Sequence, residues 1–317
     1  MIELVELTKR YGQRLAVDGL SLTVRPGTVT GFLGPNGAGK STTMRLIVGL
    51  EQPTRGTALI NGKPYAALKR PLSEVGALLE AKAFHPGRKA CHHLRWIAAA
   101  ADVPAKRIDE VLELVGLTSA ARRRAGAFSL GMAQRLGLAA ALLAEPQVLI
   151  LDEPANGLDP EGVNWIRQFM RGYAESGRTV LVSSHLLSEM AETADHLVVI
   201  GKGKLIADLP TQDFIRTATK RQVRVRAPEA GRLADLIRLA DQQVERDEDG
   251  SLLVSGMEAA EVGRLAAQHA IELHELSPQT GSLEEAFLNV TQGASEYNTS
   301  PAHTDVTTAG VAGGNQS

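Results

Sequence analysis

The chain contains very little cysteine and few aromatic residues. Cys91 is the only cysteine among 317 residues, which excludes an intramolecular disulfide and fits a reducing compartment. Phe, Trp and Tyr together make up 4% of the chain, which argues against the aromatic platforms that stack on single-stranded nucleic acid. The formal net charge is -2, so there is also no overall attraction to nucleic acid, and we expect no such partner.

Long hydrophobic runs are also missing. No stretch approaches the roughly 18 apolar residues that a membrane-spanning helix needs. The N-terminal segment MIELVELTKRYG lacks the basic start and apolar core of a secretory signal, so we expect none. Any role at a membrane should therefore depend on a partner protein. Apolar residues nevertheless make up 44% of the chain, which is enough for a sizeable core.

The order of predicted elements favours an α/β fold followed by a smaller α+β unit. Short β-rich runs alternate with helical patterns in the first part of the chain, which predicts a mainly parallel sheet, and residues 86–145 read as almost wholly helical. Later the order becomes β-α-β-β-α-β, which is ferredoxin-like, with its last strand at 271–276 and a final helix at 282–290. The predicted units are 1–216, 217–290 and a disordered tail at 291–317.

The segment GPNGAGKS, which we call the phosphate loop (residues 34–41), matches the pattern G-x-x-x-x-G-K-[ST] between a predicted strand and a helix. Its glycines let backbone N–H groups surround phosphate oxygens, while Lys40 reaches the β- and γ-phosphates and the Ser41 hydroxyl coordinates Mg²⁺. An ordinary glycine-rich turn is the alternative. The candidate nucleotide-binding residues here are Gly34, Pro35, Asn36, Gly37, Ala38, Gly39, Lys40, Ser41 and Thr42.

Two acidic residues follow a second apolar run, in VLILDEP at 148–154. Ligands of doubly wound sheets bind at the carboxyl ends of the strands, where this run would deliver Asp152 and Glu153. Asp152 is placed to hold Mg²⁺, directly or through water. Glu153 can orient or deprotonate a water for in-line attack on a phosphoryl group. A plain strand terminus is the alternative.

Together, GPNGAGKST, FSLGM, LILDEPANGLDP and VSSHLLSE resemble the nucleotide-binding subunits of ABC transporters over roughly residues 1–215. The form SLGM and the late LEEAFL at 283–288 make the resemblance closest to ATPases of ABC-2 type drug and antibiotic exporters, such as those for daunorubicin or bacitracin resistance. This resemblance implies a P-loop NTPase cassette with a mainly parallel sheet core, an antiparallel β subdomain and a helical subdomain. It also implies an ATPase that uses ATP and Mg²⁺.

The resemblance further implies a homodimer that works with a separate membrane permease, on the cytoplasmic face of the membrane. In this family two subunits face each other head to tail around two ATP molecules. Ser129 and Gly131 of FSLGM would then bind the γ-phosphate of the partner's ATP, and Asp159 matches the loop that touches the opposite site. His185 matches a histidine that contacts the γ-phosphate, and Tyr11 matches an aromatic residue that stacks on adenine. The alternatives are that His185 has only a structural role and that Tyr11 is a buried core residue.

One position departs from the family pattern. Glu80, in GALLEAKAF, is the candidate for the place where the family usually has a glutamine that contacts Mg²⁺ or water. A glutamate can still ligate Mg²⁺ but adds negative charge beside two other acidic residues, so we expect a tighter metal dependence or a shifted pKa rather than loss of activity. Two other functions remain open: a soluble ABC ATPase that acts on ribosomes or DNA, and another P-loop enzyme such as a GTPase or small-molecule kinase.

Overall fold

A computed structural model of the chain describes residues 1–218, 221–247 and 249–280, in three sheets with flanking helices. The strands are β1 (Ile2–Tyr11), β2 (Arg14–Val24), β3 (Val29–Leu33), β4 (Arg55–Ile60), β5 (Val75–Leu78), β6 (Val148–Asp152), β7 (Thr179–Ser184), β8 (His196–Gly201), β9 (Lys204–Pro210), β10 (Arg221–Arg226), β11 (Gln243–Arg246), β12 (Leu252–Ser255) and β13 (Glu275–Thr280). The helices are α1 (Lys40–Ile47), α2 (Pro71–Glu74), α3 (Ala90–Ala101), α4 (Lys106–Leu114), α5 (Leu130–Leu142), α6 (Pro160–Glu175), α7 (Leu187–Ala191), α8 (Thr211–Ala218), α9 (Ala230–Leu239) and α10 (Ala259–Gln268).

The central sheet has six strands in the order β5-β6-β7-β3-β8-β9, and all neighbouring strands run parallel except β9, which is antiparallel to β8. β3 and β7 are buried along their whole length, because both faces of the sheet are covered. In β6, Leu149 and Leu151 join the core formed with the helices α3 to α6. Val148 and Ile150 join a second core with α1 and the three-stranded antiparallel sheet β2-β1-β4.

The segment at 86–145 is mainly helical, as predicted, and it contains the three α-helices α3, α4 and α5, joined by short connections. α3 ends where Asp102 takes a left-handed conformation at φ 56°, and α4 ends before Gly116 at φ 70°. These residues stop each helix because the left-handed conformation breaks the helical path. Within the described part of the chain, we find no helix that is long and apolar enough to cross a membrane.

The last part of the described chain forms a four-stranded antiparallel sheet, in the order β11-β12-β10-β13, with its own core against α9 and α10. This arrangement confirms the predicted β-α-β-β-α-β order. The last strand was wrongly placed at 271–276, since it starts at Glu275 and includes Pro278. Proline lacks the N–H of a ladder bond but is tolerated in an edge strand such as β13. α8 was not predicted, and the predicted helix at 282–290, the LEEAFL segment and the tail lie outside the described residues.

Candidate functional site

The phosphate loop connects β3 to α1 at the carboxyl end of the central sheet. Lys40, the first residue of α1, is buried, and its Nζ donates to the carbonyl of Gly34 at 2.6 Å and of Pro35 at 3.3 Å. Burial lowers the pKa of the Lys40 ammonium, and this effect is opposed by Glu153 and Asp152. The loop therefore holds the Lys40 ammonium close to its own backbone carbonyls. A bound phosphate would be a further negative partner for this ammonium.

Two glycines allow the loop to pack tightly against neighbouring strands. Gly39 has a φ of 107°, and a Cβ added there would lie 2.5 Å from the Ala16 carbonyl oxygen of β2. A Cβ on Gly34 would lie 2.5 Å from the Ile200 carbonyl oxygen of β8. Any other residue would displace the loop at these two places, because real Cβ contacts are not this short.

A cleft of about 330 Å³ opens beside the loop. Backbone N–H groups at the N-terminus of α1, together with Lys40, suit a phosphate-bearing ligand. Gly34 and Ala38 are buried in the loop itself and, with Pro35, are not among the described residues that line the cleft. The lining residues are Tyr11, Arg14, Ala16, Asn36, Gly37, Gly39, Lys40, Ser41, Thr42 and Glu153.

Tyr11 stands at this cleft with 44% of its surface exposed, which excludes a buried core tyrosine. Its hydroxyl donates to the Glu51 carboxylate, and the Lys9 Nζ lies 5.0 Å from the ring centroid and 3.3 Å from Glu51. Burial and the Glu51 contact raise the pKa of the Tyr11 hydroxyl. Glu51 and the Lys9 ammonium that lies over the ring thus hold the Tyr11 side chain in place. The stacking of Tyr11 on adenine stays a prediction.

The two acidic residues lie where β6 meets β7. The Ser183 hydroxyl donates to the Asp152 carboxylate and accepts from the Glu153 N–H at 3.0 Å. Glu153 lines the phosphate cleft, and its Oε1 lies 3.1 Å from Nδ1 of His185. The Asn156 amide donates to its other carboxylate oxygen. The structure thus brings Lys40, Glu153 and His185 to one site, as the motifs predict, with the Glu153 carboxylate fixed by two side chains.

The donor set suits Mg²⁺. The Ser41 hydroxyl lines the cleft, and the Asp152 carboxylate lies close enough to Lys40 to influence its pKa. Mg²⁺ prefers such oxygen ligands, and it usually takes one or two carboxylates, substrate phosphates and waters rather than a full protein cage. Accordingly, no group of three or more His, Cys, Asp or Glu arranged for a metal occurs among the described residues.

Glu80 lies beside a different cavity from the phosphate cleft. It is exposed just after β5 and lines a groove beside α3, and it is not among the described residues of the phosphate cleft. In the sheet, β6 and β7 separate β5 from β3, which leads into the phosphate loop, but β5 pairs directly with β6, which ends at Asp152. The assignment of Glu80 as a metal ligand stays a prediction.

The residues of FSLGM and GLDP form a second cluster. Ser129 caps α5 by accepting from a backbone N–H at 3.2 Å, and Asp159 caps α6 in the same way at 3.0 Å. A Cβ on Gly131 would lie 2.7 Å from the Gly157 carbonyl oxygen, so the start of α5 packs closely against the loop that contains Gly157. None of Ser129, Gly131 and Asp159 lines the phosphate cleft as described. We call α5 with its cap Ser129 the signature helix.

Three residues of the site were missed in the sequence. Ser183 holds both acidic residues, Asn156 binds the Glu153 carboxylate, and Gln134 donates from Nε2 to the Glu153 carbonyl at 3.2 Å. Ser183 pairs with Asp152 in the parallel register of β6 and β7. Both strands are visible in the sequence as apolar runs that end in polar residues, so their pairing could have predicted the contact between Ser183 and Asp152. No sequence signal marks the contact of Gln134 with Glu153.

Comparison with known proteins identifies the family. A model described as "ABC transporter" matches residues 17–156, and one described as "Domain of unknown function (DUF8746)" matches residues 221–284. The bacitracin transport ATP-binding protein BcrA of Bacillus licheniformis is 35% identical over 300 residues, which cover 92% of this chain and 98% of that protein. The chain belongs to the ABC transporter ATP-binding proteins. It is therefore an ATPase of this family, and the GTPase and kinase alternatives are excluded.

Two further matches agree. The lantibiotic transport ATP-binding protein SrtF of Streptococcus pyogenes is 36% identical over 208 residues, covering 66% of this chain and 90% of that protein. A solved "ATP binding subunit of ABC transporter" superposes with a TM-score of 0.63 at 28% identity, covering 68% of this chain and 92% of that one. These similarities confirm the predicted cassette fold, the binding of ATP and the kinship with ATPases of antibiotic transport.

Proposed function

We propose that two copies of this chain close head to tail around two ATP molecules and drive a separate membrane permease that exports an antibiotic or another hydrophobic compound. The observation that carries the proposal is the separation of two phosphate-binding features in one chain. Lys40 and Ser41 line the cleft, whereas the signature helix presents its N-terminus elsewhere among the described residues. A helix N-terminus attracts anions, so a second copy would supply what each cleft lacks.

Within the closed site, the residues have distinct tasks. The phosphate loop and Lys40 bind and orient the β- and γ-phosphates, and Tyr11 supports the adenine. Glu153 accepts a proton from the attacking water, while His185 holds one oxygen of Glu153 and contacts the γ-phosphate. Ser41 and Asp152 would hold Mg²⁺, which neutralises charge on the phosphate oxygens. Catalysis of this kind is mainly positioning and electrostatic stabilisation.

A groove of about 530 Å³ supports the partnership with a permease. It lies between the end of α1, β5 and the helices α3 and α5, and Leu50 and Trp96 on its rim are 69% and 62% exposed. Exposed apolar side chains gathered around a groove are typical of an interaction site. We assign it to a cytoplasmic segment of the permease, through which the chain would work at the inner face of the membrane.

The class of exported compound rests on the relatives. Two of them are named for the transport of bacitracin and of lantibiotics. The described chain offers no feature that selects a substrate, since in this arrangement the substrate path lies in the permease. Export of an antibiotic-like compound is therefore inferred from kinship, and the ATPase chemistry stands without it.

Mixing two inactive variants tests the shared site. Lys40→Ala damages the cleft, and Ser129→Asp keeps an N-cap for α5 but repels the γ-phosphate by its charge. Each variant alone should be inactive. An equimolar mixture should recover about a quarter of wild-type turnover, since about half of the dimers are mixed and each has one intact site. A mixture without activity, or a fully active Ser129→Asp, would contradict the proposal.

A further inference from the structure

Glu153 is held in an unfavourable backbone conformation. Its φ is 47°, in the left-handed region that residues other than glycine rarely adopt. Two side chains from other elements fix it there: Ser183 of β7 accepts from its N–H at 3.0 Å, and Gln134 of α5 donates to its carbonyl at 3.2 Å. Strained residues of this kind persist only where their surroundings hold them.

Among the described residues, no other side-chain hydrogen bond explains why Gln134 is buried. It is 6% exposed, and its Oε1 is buried without a hydrogen-bond partner among the described residues. An amide buried with half of its bonding capacity unused is unfavourable for stability. An apolar side chain would be better at this place if packing were the only requirement. The one side-chain hydrogen bond of Gln134 found among the described residues goes to the Glu153 carbonyl.

The position of Gln134 connects two parts of the site. It lies just over one turn into the signature helix from the cap Ser129, which we assign to the partner's ATP. Near the start of the same helix, a Cβ on Gly157 would lie 2.5 Å from Leu130, so the loop that follows Glu153 is packed against α5 as well. A shift of α5 on contact with nucleotide would therefore act on Glu153 through its carbonyl.

We propose that Gln134 is a positioning residue: by holding the backbone of Glu153, it aims the carboxylate at the attacking water and links the signature helix to hydrolysis in its own chain. The inference rests on the proposed role of Glu153 as the base. Gln134 itself touches neither nucleotide nor water. Its loss should therefore lower kcat and leave the binding of ATP intact.

Gln134→Leu tests this assignment, because leucine has a similar size and removes the donor. Gln168→Leu is the matched control, since Gln168 is an exposed glutamine of α6. ATPase rates of the full chain should show a kcat at least about tenfold lower for Gln134→Leu, with a KM for ATP within about twofold. The control should behave as wild type. A kcat within twofold of wild type, or a loss confined to KM, would overturn the proposal.

A second comparison separates positioning from packing. In a Glu153→Gln background the base is already lost, so adding Gln134→Leu should lower the residual rate by less than about twofold. A further tenfold loss would show that Gln134 acts elsewhere. If Gln134→Leu fails to fold, as judged by circular dichroism, Gln134→Met replaces it with the same expected results. Full activity of Glu153→Gln would refute the role of Glu153 as the general base. That result would concern the proposed function and is distinct from the test of Gln134.

Discussion

Replacing Gly39 with alanine should weaken ATP binding strongly without unfolding the protein. The added Cβ would lie 2.5 Å from the Ala16 carbonyl oxygen, where an ordinary contact needs at least 3.4 Å, so the loop must move by about 0.9 Å. A displacement of that size takes backbone N–H groups out of hydrogen-bonding range of a phosphate. The positive φ of 107° strains an alanine there and should lower the free energy of unfolding by about 1–2 kcal/mol.

Gly62→Ala is the matched control for this substitution. Gly62 also has a positive φ, 76°, but a Cβ there would have no described atom within 4 Å. Both variants should lose about 1–2 kcal/mol of stability in urea titrations. Only Gly39→Ala should weaken ATP binding, by about tenfold to a hundredfold in calorimetry. If Gly39→Ala bound ATP within twofold of wild type, the loop would not be the rigid phosphate site that we describe.

Three other substitutions give separable results. Asp159→Ala should cost about 1 kcal/mol in thermal unfolding because α6 loses its cap, whereas Asp159→Asn should keep that stability; equal losses would refute the cap. Tyr11→Ala should raise the KM for ATP at least about fivefold and Tyr11→Phe much less, because stacking is worth about 1–3 kcal/mol; equal KM values would argue against stacking. Burial raises the pKa of Tyr173 to about 12, above its usual 10. The stability that its protonated form provides is complete below pH 10 and should be lost as pH rises toward 12, by up to about 3 kcal/mol. Tyr173→Phe should flatten this alkaline loss in urea titrations, and an unchanged slope would contradict it.

The parts of the site that depend on local backbone rules were predictable. The phosphate loop follows from glycine spacing between a strand and a helix. The placement of Glu153 beside Lys40 follows from the rule that parallel strands present their carboxyl ends at one edge. These inferences need only short stretches of sequence and the order of the strands.

Contacts between distant residues were not predictable. Gln134 lies 19 positions from Glu153, and no local pattern marks this pair. Ser183 lies 30 positions from Glu153, and only the pairing of β6 with β7 brings the two together. The strand around Pro278 was misplaced because a proline normally argues against a strand, and only the sheet order shows that this strand lies at an edge. Glu80 follows β5, which is an edge strand of the central sheet. The family motifs in the sequence do not reveal the place of β5 in the sheet.

The central claim is that this ATPase drives a membrane permease that it contacts through the groove beside α3. The most direct measurement isolates the tagged chain at its native level in mild detergent and identifies its partners by mass spectrometry. Trp96→Glu alters the groove, and Leu239→Glu, at a residue 84% exposed on α9, is the control. We predict a polytopic membrane protein in stoichiometric amount with wild type and Leu239→Glu, and its loss with Trp96→Glu. Ribosomes or only soluble partners, or a membrane protein retained by Trp96→Glu, would contradict the account.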